Sequence, residues 1–228
     1  MAGKKSPSWD AIFSALETWK SNYMKQHTGE EPSVTALALA HERDPWVVLV
    51  STILSLRTKD AVTISTSRTL LAKAPDPQKL LNLSQEEIEQ LIYPAGFYRT
   101  KAANLRKIAS ILIETYNGHV PDTMEQLLAL PGVGRKTANL VLTEAFDQDA
   151  ICVDVHVHRI CNRTGWIETK TPDESEKVLR EILPLKYWKI INALLVLYGQ
   201  QVCKPVSPIC SSCSIKKFCE RIGVTRSR

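Results

Sequence analysis

The chain has 228 residues, of which 44% are hydrophobic and 23% are charged, and its formal net charge is +5. This composition is that of a globular protein, and the length is enough for one large domain or two small ones. No run of roughly 18 apolar residues suits a membrane span, and "MAGKKSPSWD" at 1–10 lacks the apolar stretch of a signal peptide. The sequence therefore predicts an intracellular protein with no membrane association, and its positive charge is compatible with a polyanionic partner.

Apolar residues recur at helical spacing along most of the chain. The clearest segments, in chain order, are "WDAIFSALETWKSNY", "PWVVLVSTILSL", "LRKIASILIETY" and "MEQLLALPGVGRKTANLVL". Turn signals such as "HTGEEPS", "KAPDPQ", "YPAGFY" and "NGHVPDT" separate them. The best strand candidates, "VVLV" and "AICVDVHVH", run directly into helical patterns. The predicted fold class is therefore all-α.

The segment "LPGVGRKTANLVL" at 130–142 interrupts a helical pattern with Pro131, Gly132 and Gly134. Pro131 ends the first helix, and the two glycines permit positive φ and the close approach of another backbone. The first amide groups of the following helix have no intrahelical acceptor and lie at the positive end of its dipole. The turn therefore suits a phosphate, although an ordinary helix–helix turn with a solvated Lys136 is the alternative.

Two nucleotide-binding loops are excluded by spacing. A Walker loop needs glycine directly before its lysine, where this chain has Arg135, and a dinucleotide fingerprint needs a third glycine where it has Thr137. Lys136 instead lies on the first turn of a helix, where the dipole disfavours its ammonium form. If a groove also desolvates it, Lys136 can act as an amine nucleophile. Asp154, which opens the next helix, is either its carboxylate partner or simply an N-cap.

Six cysteines in a predicted intracellular chain favour metal or redox chemistry over a disulfide framework. Cys152 and Cys161 stand among apolar neighbours and are expected in the core. The other four follow the spacing C-x6-C-x2-C-x5-C, which suits four thiolates around one metal centre. Spacing alone leaves zinc and an iron–sulfur cluster equally open, with disulfides a more distant alternative. These four residues are Cys203, Cys210, Cys213 and Cys219.

Three motifs in order, "LPGVGRKTANLVL", "VDVHVHRICNRTG" and the cysteine tail, resemble the endonuclease III family of helix-hairpin-helix DNA glycosylases. The resemblance extends roughly from Asp44 to Cys219. It implies an all-α protein of two lobes with a DNA groove between them. One lobe is a six-helix barrel at 38–148 that contains the helix-hairpin-helix at about 123–146. The other lobe is discontinuous, 1–37 plus 149–228, and carries the cluster loop at 203–219.

By this resemblance, Lys136 matches the nucleophilic lysine, Asp154 matches the catalytic aspartate, and the four tail cysteines match the ligands of one [4Fe-4S] cluster. The implied reaction is bifunctional base excision repair of oxidised pyrimidines in double-stranded DNA. A damaged base is flipped out, Lys136 attacks the sugar C1′, and the Schiff base allows β-elimination 3′ to the abasic site. The expected protein is a monomer, in the cytoplasm or nucleoid if it is bacterial or archaeal.

The resemblance also implies a set of DNA contacts. Flipping leaves a gap that two loops fill in this family, and they correspond to "LSLRTKD" and "PAGFYRTK". Where the family commonly has glutamine, this chain has Arg57, which can read an orphaned guanine or contact a phosphate. Asp60 is expected to hold this loop. The full set of predicted DNA contacts is Gly132, Val133, Gly134, Arg135, Arg57, Phe97, Tyr98, His156 and Lys204.

Two other functions stay open. A thymine or uracil mismatch glycosylase is kept open by Arg57, because the residue that faces the opposite base departs from the family pattern. A non-catalytic DNA-structure binder or a zinc-bearing interaction module is the alternative from another class. Binding alone requires neither Lys136 nor Asp154, so the presence of both favours an enzyme.

Overall fold

The computed structural model describes residues 7–27 and 31–228, and these contain helices but no β-strand. The all-α prediction is therefore confirmed. The predicted turn at 27–33 and the segment 1–10, in which no signal peptide was predicted, lie partly outside the described residues. The α-helices are α1 (Trp9–Gln26), α2 (Ser33–Ala40), α3 (Pro45–Ser55), α4 (Asp60–Lys73), α5 (Pro77–Leu81), α6 (Gln85–Ile92), α7 (Tyr98–Tyr116), α8 (Met124–Leu128), α9 (Arg135–Glu144), α10 (Val155–Thr164), α11 (Pro172–Ile182) and α12 (Ile191–Gln201), and 3-10 helices form at Leu185–Tyr187 and Lys216–Phe218.

Several helices begin where a polar residue precedes proline. The side chains of Asp44, Asp76 and Thr171 accept hydrogen bonds from the backbone of the first turns of α3, α5 and α11, and each is followed by proline. Such a cap satisfies one of the amides that the first turn leaves without an intrahelical partner, and proline at the next position has no amide to satisfy. The local sequence therefore determines where these three helices begin.

The described chain divides into two compact units. One is continuous, Pro32–Ala150, and holds α2 to α9. Its centre is α3, in which every residue from Trp46 to Leu54 is buried, and which contacts α2, α4, α7 and α9. The segment "VVLV", a strand candidate in the sequence, lies within this helix because it is apolar on all faces and has helical neighbours on all sides.

The other unit combines the N-terminal residues through Glu31 with Ile151–Arg228. Its core is rich in aromatic rings: Trp9 meets Trp166 edge-on at 5.4 Å, and Phe13 stacks on Tyr187 at 3.9 Å between ring centroids. Cys152 and Cys161 are fully buried, as predicted, and burial raises the pKa of the Cys161 thiol. Within the described ranges, no helix is long and apolar enough to span a bilayer.

Candidate active site

The predicted hairpin turn lies between α8 and α9. The amide of Val133 donates to the carbonyl of Leu130 at 3.1 Å, and Gly132 has φ +77°. Proline followed by a glycine with positive φ is the signature of a type II turn. A Cβ on Gly132 would lie 2.4 Å from Nδ2 of Asn104, so both the conformation and the packing against α7 favour glycine. The side chain of Val133 is buried, which leaves its backbone as the part that can face a ligand.

Gly134 is different, because nothing inside the protein requires a glycine there. Its φ of −100° and ψ of 177° are extended, so the positive φ that a glycine permits is not used at this position. Among the described residues, a Cβ on Gly134 would meet no atom within 4 Å. Gly134 also offers no side chain to cap α9. The missing side chain thus leaves the space in front of the first turn of α9 open.

Lys136 lies on this first turn of α9. From Thr137 to Glu144 every residue of α9 is buried, whereas Arg135 and Lys136 are half-buried. The helix is therefore anchored along its length in the core of its unit and emerges only at its N-terminus. This arrangement fixes the backbone of Lys136 directly after the glycine turn.

Asp154 is the N-cap of α10, as the local sequence pattern predicted. Its Oδ1 accepts hydrogen bonds from the amides of His156 and Val157, both at 2.9 Å, and the residue is 8% exposed. The preceding segment is held by Asn192, whose Nδ2 donates to the carbonyl of Cys152 at 3.2 Å. The carboxylate therefore has a fixed orientation, and both capping bonds use the same oxygen.

Two arginines on α10 connect this helix to the first cysteine of the tail. Nη2 of Arg159 lies 3.1 Å from Nδ1 of His156 and donates to the carbonyl of Cys203 at 2.9 Å. Burial lowers the pKa of the Arg159 guanidinium. One turn later, Nη1 of Arg163 donates to Sγ of Cys203 at 3.3 Å and to the carbonyl of Lys204 at 2.8 Å. Sequence reasoning missed both arginines, although their i, i+4 spacing in "VDVHVHRICNRTG" puts them on one face of the helix.

The four tail cysteines line one cavity together with residues of α10 and α12, and none of the four forms a disulfide. The hydroxyl of Tyr198 donates to Sγ of Cys213 at 3.2 Å and accepts from the amide of Ser214 at 3.0 Å. Burial raises the pKa of the Cys213 and Cys219 thiols. Across residues 7–27 and 31–228, no group of three or more His, Cys, Asp or Glu side chains is arranged to hold a metal ion. The cavity thus gathers the thiols without a closed ligand geometry.

The two predicted DNA loops form one surface in the continuous unit, which we call the two-loop wedge, residues 54–60 and 94–101. Arg57 and Phe97 are both exposed, and Cζ of Arg57 lies 5.4 Å from the centroid of the Phe97 ring. Tyr98 is half-buried, and its ring contacts Tyr93 edge-on at 5.5 Å. Asp60 accepts a hydrogen bond from the hydroxyl of Ser33 at 2.8 Å. The structure therefore brings Arg57 and Phe97 together.

Comparison with known proteins assigns this fold to a class. Residues 50–185 match the HhH-GPD superfamily of base excision DNA repair proteins, and the chain belongs to this superfamily. It is similar to the endonuclease III of Thermotoga maritima, with 48% identity over 179 residues that cover 78% of this chain and 84% of the relative. The predicted family and enzyme class, a base excision repair DNA glycosylase with lyase activity, are confirmed.

Solved structures of similar proteins superpose on nearly the whole chain. A trapped covalent endonuclease III–DNA intermediate, the estranged-adenine complex, superposes with a TM-score of 0.78 at 33% identity and covers 94% of this chain and 96% of that chain. A thermostable thymine-DNA glycosylase superposes with a TM-score of 0.76 at 25% identity and covers 92% of this chain and 98% of that chain. The helix-hairpin-helix fold predicted from the sequence is thereby confirmed.

Proposed function

We propose that Lys136 is the nucleophile and Asp154 the acid–base residue of a bifunctional glycosylase that removes oxidised pyrimidines. The position of Lys136, fixed by the buried α9 and placed directly after the glycine turn, is the observation that carries this proposal. A nucleophile on a rigid element keeps a constant distance from a substrate that the same turn binds. Asp154 supports the assignment because its cap fixes the carboxylate while leaving Oδ2 outside the two capping bonds.

The reaction follows from the chemistry of a neutral amine. Nζ of Lys136 forms a bond to C1′ of the flipped nucleotide, and the C1′–N bond breaks, so the base leaves with the electron pair. Asp154 accepts a proton from the Lys136 nitrogen and returns it to O4′ as the C1′–O4′ bond breaks, which opens the sugar ring and gives the Schiff base. Transfer of a C2′ proton to water then leaves the C2′–H electron pair to form a C2′–C3′ double bond and expel the 3′ phosphate, which cleaves the strand. Water finally hydrolyses the C1′–N bond and releases Lys136.

The hairpin turn binds a DNA phosphate in this proposal. The open space at Gly134 lies in front of the α9 N-terminus, where backbone amides and the helix dipole favour an anion. Phosphate contacts of this kind set the register of a protein on duplex DNA without reading its sequence. Arg135, His156 and Lys204 are the further predicted phosphate contacts. The two compact units are then the two lobes, the barrel lobe and the cluster lobe.

The four tail cysteines fit an iron–sulfur cluster. They supply four thiol sulfurs around one cavity, and Arg163 and Tyr198 each donate a hydrogen bond to one of those sulfurs. Hydrogen bonds of this kind orient the sulfurs that would hold a metal. A bound [4Fe-4S] cluster would fix the shape of the loop at 203–219. The glycosylase and lyase steps require no electron transfer, so the loop would act by presenting Lys204 to DNA.

A second candidate is the removal of thymine or uracil from mismatches. The likeness to a thymine-DNA glycosylase and the presence of Arg57 favour it, because arginine pairs well with the O6 and N7 atoms of an opposite guanine. In either case we propose that the protein acts on double-stranded DNA as a monomer, and in the cytoplasm or nucleoid if the source is bacterial or archaeal.

Borohydride trapping tests the nucleophile. Duplex DNA with an abasic site is incubated with protein and borohydride, which reduces a Schiff base to a stable covalent bond. We expect a covalent complex that Lys136→Gln abolishes and Lys107→Gln, at an exposed position on α7, retains. A wild-type protein that binds the duplex but forms no trapped complex would show that the lyase assignment is wrong.

Two further measurements identify the preferred lesion and the metal that the four tail cysteines bind. Excision is compared on duplexes with thymine glycol, dihydrouracil, and uracil or thymine opposite guanine, and the fastest substrate class decides between the two candidate functions. A brown protein with broad visible absorption supports an iron–sulfur cluster. A colourless protein with stoichiometric zinc would overturn the cluster.

A further inference from the structure

Lys101 on α7 is a buried lysine that the proposed chemistry does not use. It is only 6% exposed, and its ammonium donates to the carbonyls of Leu54 and Leu56 at 2.8 and 2.7 Å and to the hydroxyl of Thr58 at 2.9 Å. An ammonium has three donors, and all three are used. Burial of a charge costs free energy unless the charge is well hydrogen-bonded, and the three hydrogen bonds of Lys101 offset that cost.

The acceptors of Lys101 lie where α3 ends. Leu56 is the C-cap of α3, and the last carbonyls of a helix lack intrahelical donors and lie at the negative end of the dipole. A cation on another helix both donates hydrogen bonds to these carbonyls and offsets the negative end of the dipole. Lys101 therefore joins α7 to the C-terminus of α3 at Leu56, which directly precedes Arg57.

Thr58 extends this joint to the second loop. Its hydroxyl oxygen accepts a hydrogen bond from the Lys101 ammonium and another from the amide of Gly96, the latter at 3.1 Å. The backbones are so close here that a Cβ on Gly96 would lie 2.3 Å from the carbonyl oxygen of Arg57. The segments 54–60 and 94–101 are thus held as one body by a lysine, a threonine and a glycine.

The joint supports an unfavourable backbone at two exposed residues of the wedge, Arg57 and Phe97. Arg57 and Phe97 have φ of 52° and 57°, in the left-handed region that non-glycine residues rarely adopt. Such conformations persist where the surrounding structure determines them, and they cluster at functional sites. Here they bring the Arg57 guanidinium to 5.4 Å from the Phe97 ring centre.

We propose that Lys101 is a positioning residue that preassembles Arg57 and Phe97 into a single reading unit for the base opposite the lesion. This inference rests on the proposed function. Ordering two loops at the moment of binding costs affinity and selectivity, and a wedge that is already assembled avoids that cost. With its backbone held by the joint and its guanidinium 5.4 Å from the Phe97 ring centre, Arg57 meets the opposite base from a preset position, which favours the paired acceptors of guanine.

Opposite-base discrimination tests this role. Single-turnover excision is measured on dihydrouracil duplexes with guanine or adenine opposite, using Lys101→Met and, as a matched control on the exposed side of the same helix, Lys107→Met. We expect Lys101→Met to reduce the guanine-over-adenine ratio by roughly tenfold, while Lys107→Met keeps it. A general loss of folded protein would lower both rates and leave their ratio unchanged.

A double-mutant cycle separates positioning from bulk stability. If Lys101 acts through the reading unit, Lys101→Met changes the ratio no further in a background of Arg57→Ala and Phe97→Ala. A ratio that is unchanged by Lys101→Met alone, or losses that simply add in the cycle, would overturn the inference.

A second pair of variants covers the case in which Lys101→Met does not fold. Thr58→Val removes the hydroxyl that both Lys101 and Gly96 bond, whereas Thr58→Ser keeps it. We expect Thr58→Val to lower the discrimination ratio and Thr58→Ser to preserve it, and equal ratios contradict the proposal. A wild-type protein without excision or borohydride trapping indicates failure of the proposed function, while active wild type with unaltered variants indicates failure of this inference alone.

Discussion

Oδ1 of Asp154 accepts a hydrogen bond from the amide of His156 at 2.9 Å, so the proposed catalytic carboxylate is also a helix cap. Asparagine caps helices about as well as aspartate but cannot accept a proton. We therefore expect Asp154→Asn to keep the unfolding free energy near wild type and to reduce excision by roughly 10²- to 10⁴-fold. Denaturant titration and single-turnover excision measure the two effects.

Asp154→Ala is the companion variant, because it removes the cap together with the charge. Loss of such a cap costs about 1 kcal/mol of stability. We expect this variant to unfold at lower denaturant concentration than Asp154→Asn while both lose excision. Equal excision by Asp154→Asn and wild type would remove Asp154 from the chemistry and leave it as a cap only.

The two glycines of the hairpin turn are expected to respond differently to alanine. Gly132→Ala forces a Cβ into a left-handed backbone and against Asn104, and we expect a loss of about 1–2 kcal/mol in unfolding free energy. In the described part of the chain, the Cβ of Gly134→Ala meets no atom within 4 Å, so we expect stability within about 0.5 kcal/mol of wild type. Its methyl group fills the space proposed for a phosphate, and duplex binding should weaken.

Binding isotherms on an abasic-site duplex, paired with denaturant titrations, measure these two effects. If Gly134→Ala bound DNA as tightly as wild type, the phosphate would not lie in front of α9. A loss of stability in Gly134→Ala as large as in Gly132→Ala would contradict the difference between the two turn positions.

The stability of the protein should depend on pH through Lys101. Burial lowers the pKa of Lys101 to about 8, whereas a lysine in an unfolded chain keeps a pKa of about 10.4. Between these values the unfolded state binds more protons than the folded state, so the contribution of Lys101 to the unfolding free energy rises with pH. The slope is at most about 1.4 kcal/mol per pH unit, and below pH 8 both states are charged and the slope vanishes.

This slope is measured as the difference between wild type and Lys101→Met in denaturant titrations from pH 7 to 10, with Lys107→Met as the control that retains it. In the same range the neutral amine has only two donors for its three acceptors. We therefore expect opposite-base discrimination to weaken above pH 8 even as global stability increases. Identical slopes in wild type and Lys101→Met would show that the lysine does not titrate in this window.

The hydroxyl of Tyr198 is expected to protect the cysteine site. Tyr198→Phe removes the hydrogen bond to Sγ of Cys213 and leaves the amide of Ser214 without this acceptor. We expect the visible absorption of the proposed cluster to bleach several-fold faster in the presence of a chelator, because outer hydrogen bonds orient metal ligands. Tyr116→Phe, at the end of α7, is the control and should bleach at the wild-type rate.

Local sequence patterns predicted the features that local physics determines. The helix periodicity, the turn at Pro131 and Gly132, and the cap formed by Asp154 each depend on residues within a few positions of one another. The motif order added the family, which the comparisons confirm. The roles of Lys136 and the four cysteines remain predictions, because they depend on a substrate and a cofactor rather than on the fold.

What the sequence did not predict depends on contacts between distant segments. Lys101 reaches carbonyls 45 and 47 positions earlier in the chain, and Arg163 reaches Cys203 across 40 positions. No local sequence pattern distinguishes a buried lysine from an exposed one, because lysine is usually exposed and its burial depends on acceptors elsewhere in the chain. Gly134 is a similar case, because the sequence shows that a glycine permits positive φ but not whether the folded backbone uses it.

Because α9 is buried, we expect excision to be more sensitive to heating than the secondary structure is. The residues that follow Lys136 are core residues of the continuous unit, so any repacking of that core shifts the proposed nucleophile with it. Excision should then decline during heating before the far-ultraviolet circular dichroism changes. Engineers who seek a more heat-resistant variant would find safer positions on the exposed side of α7 than anywhere along α9.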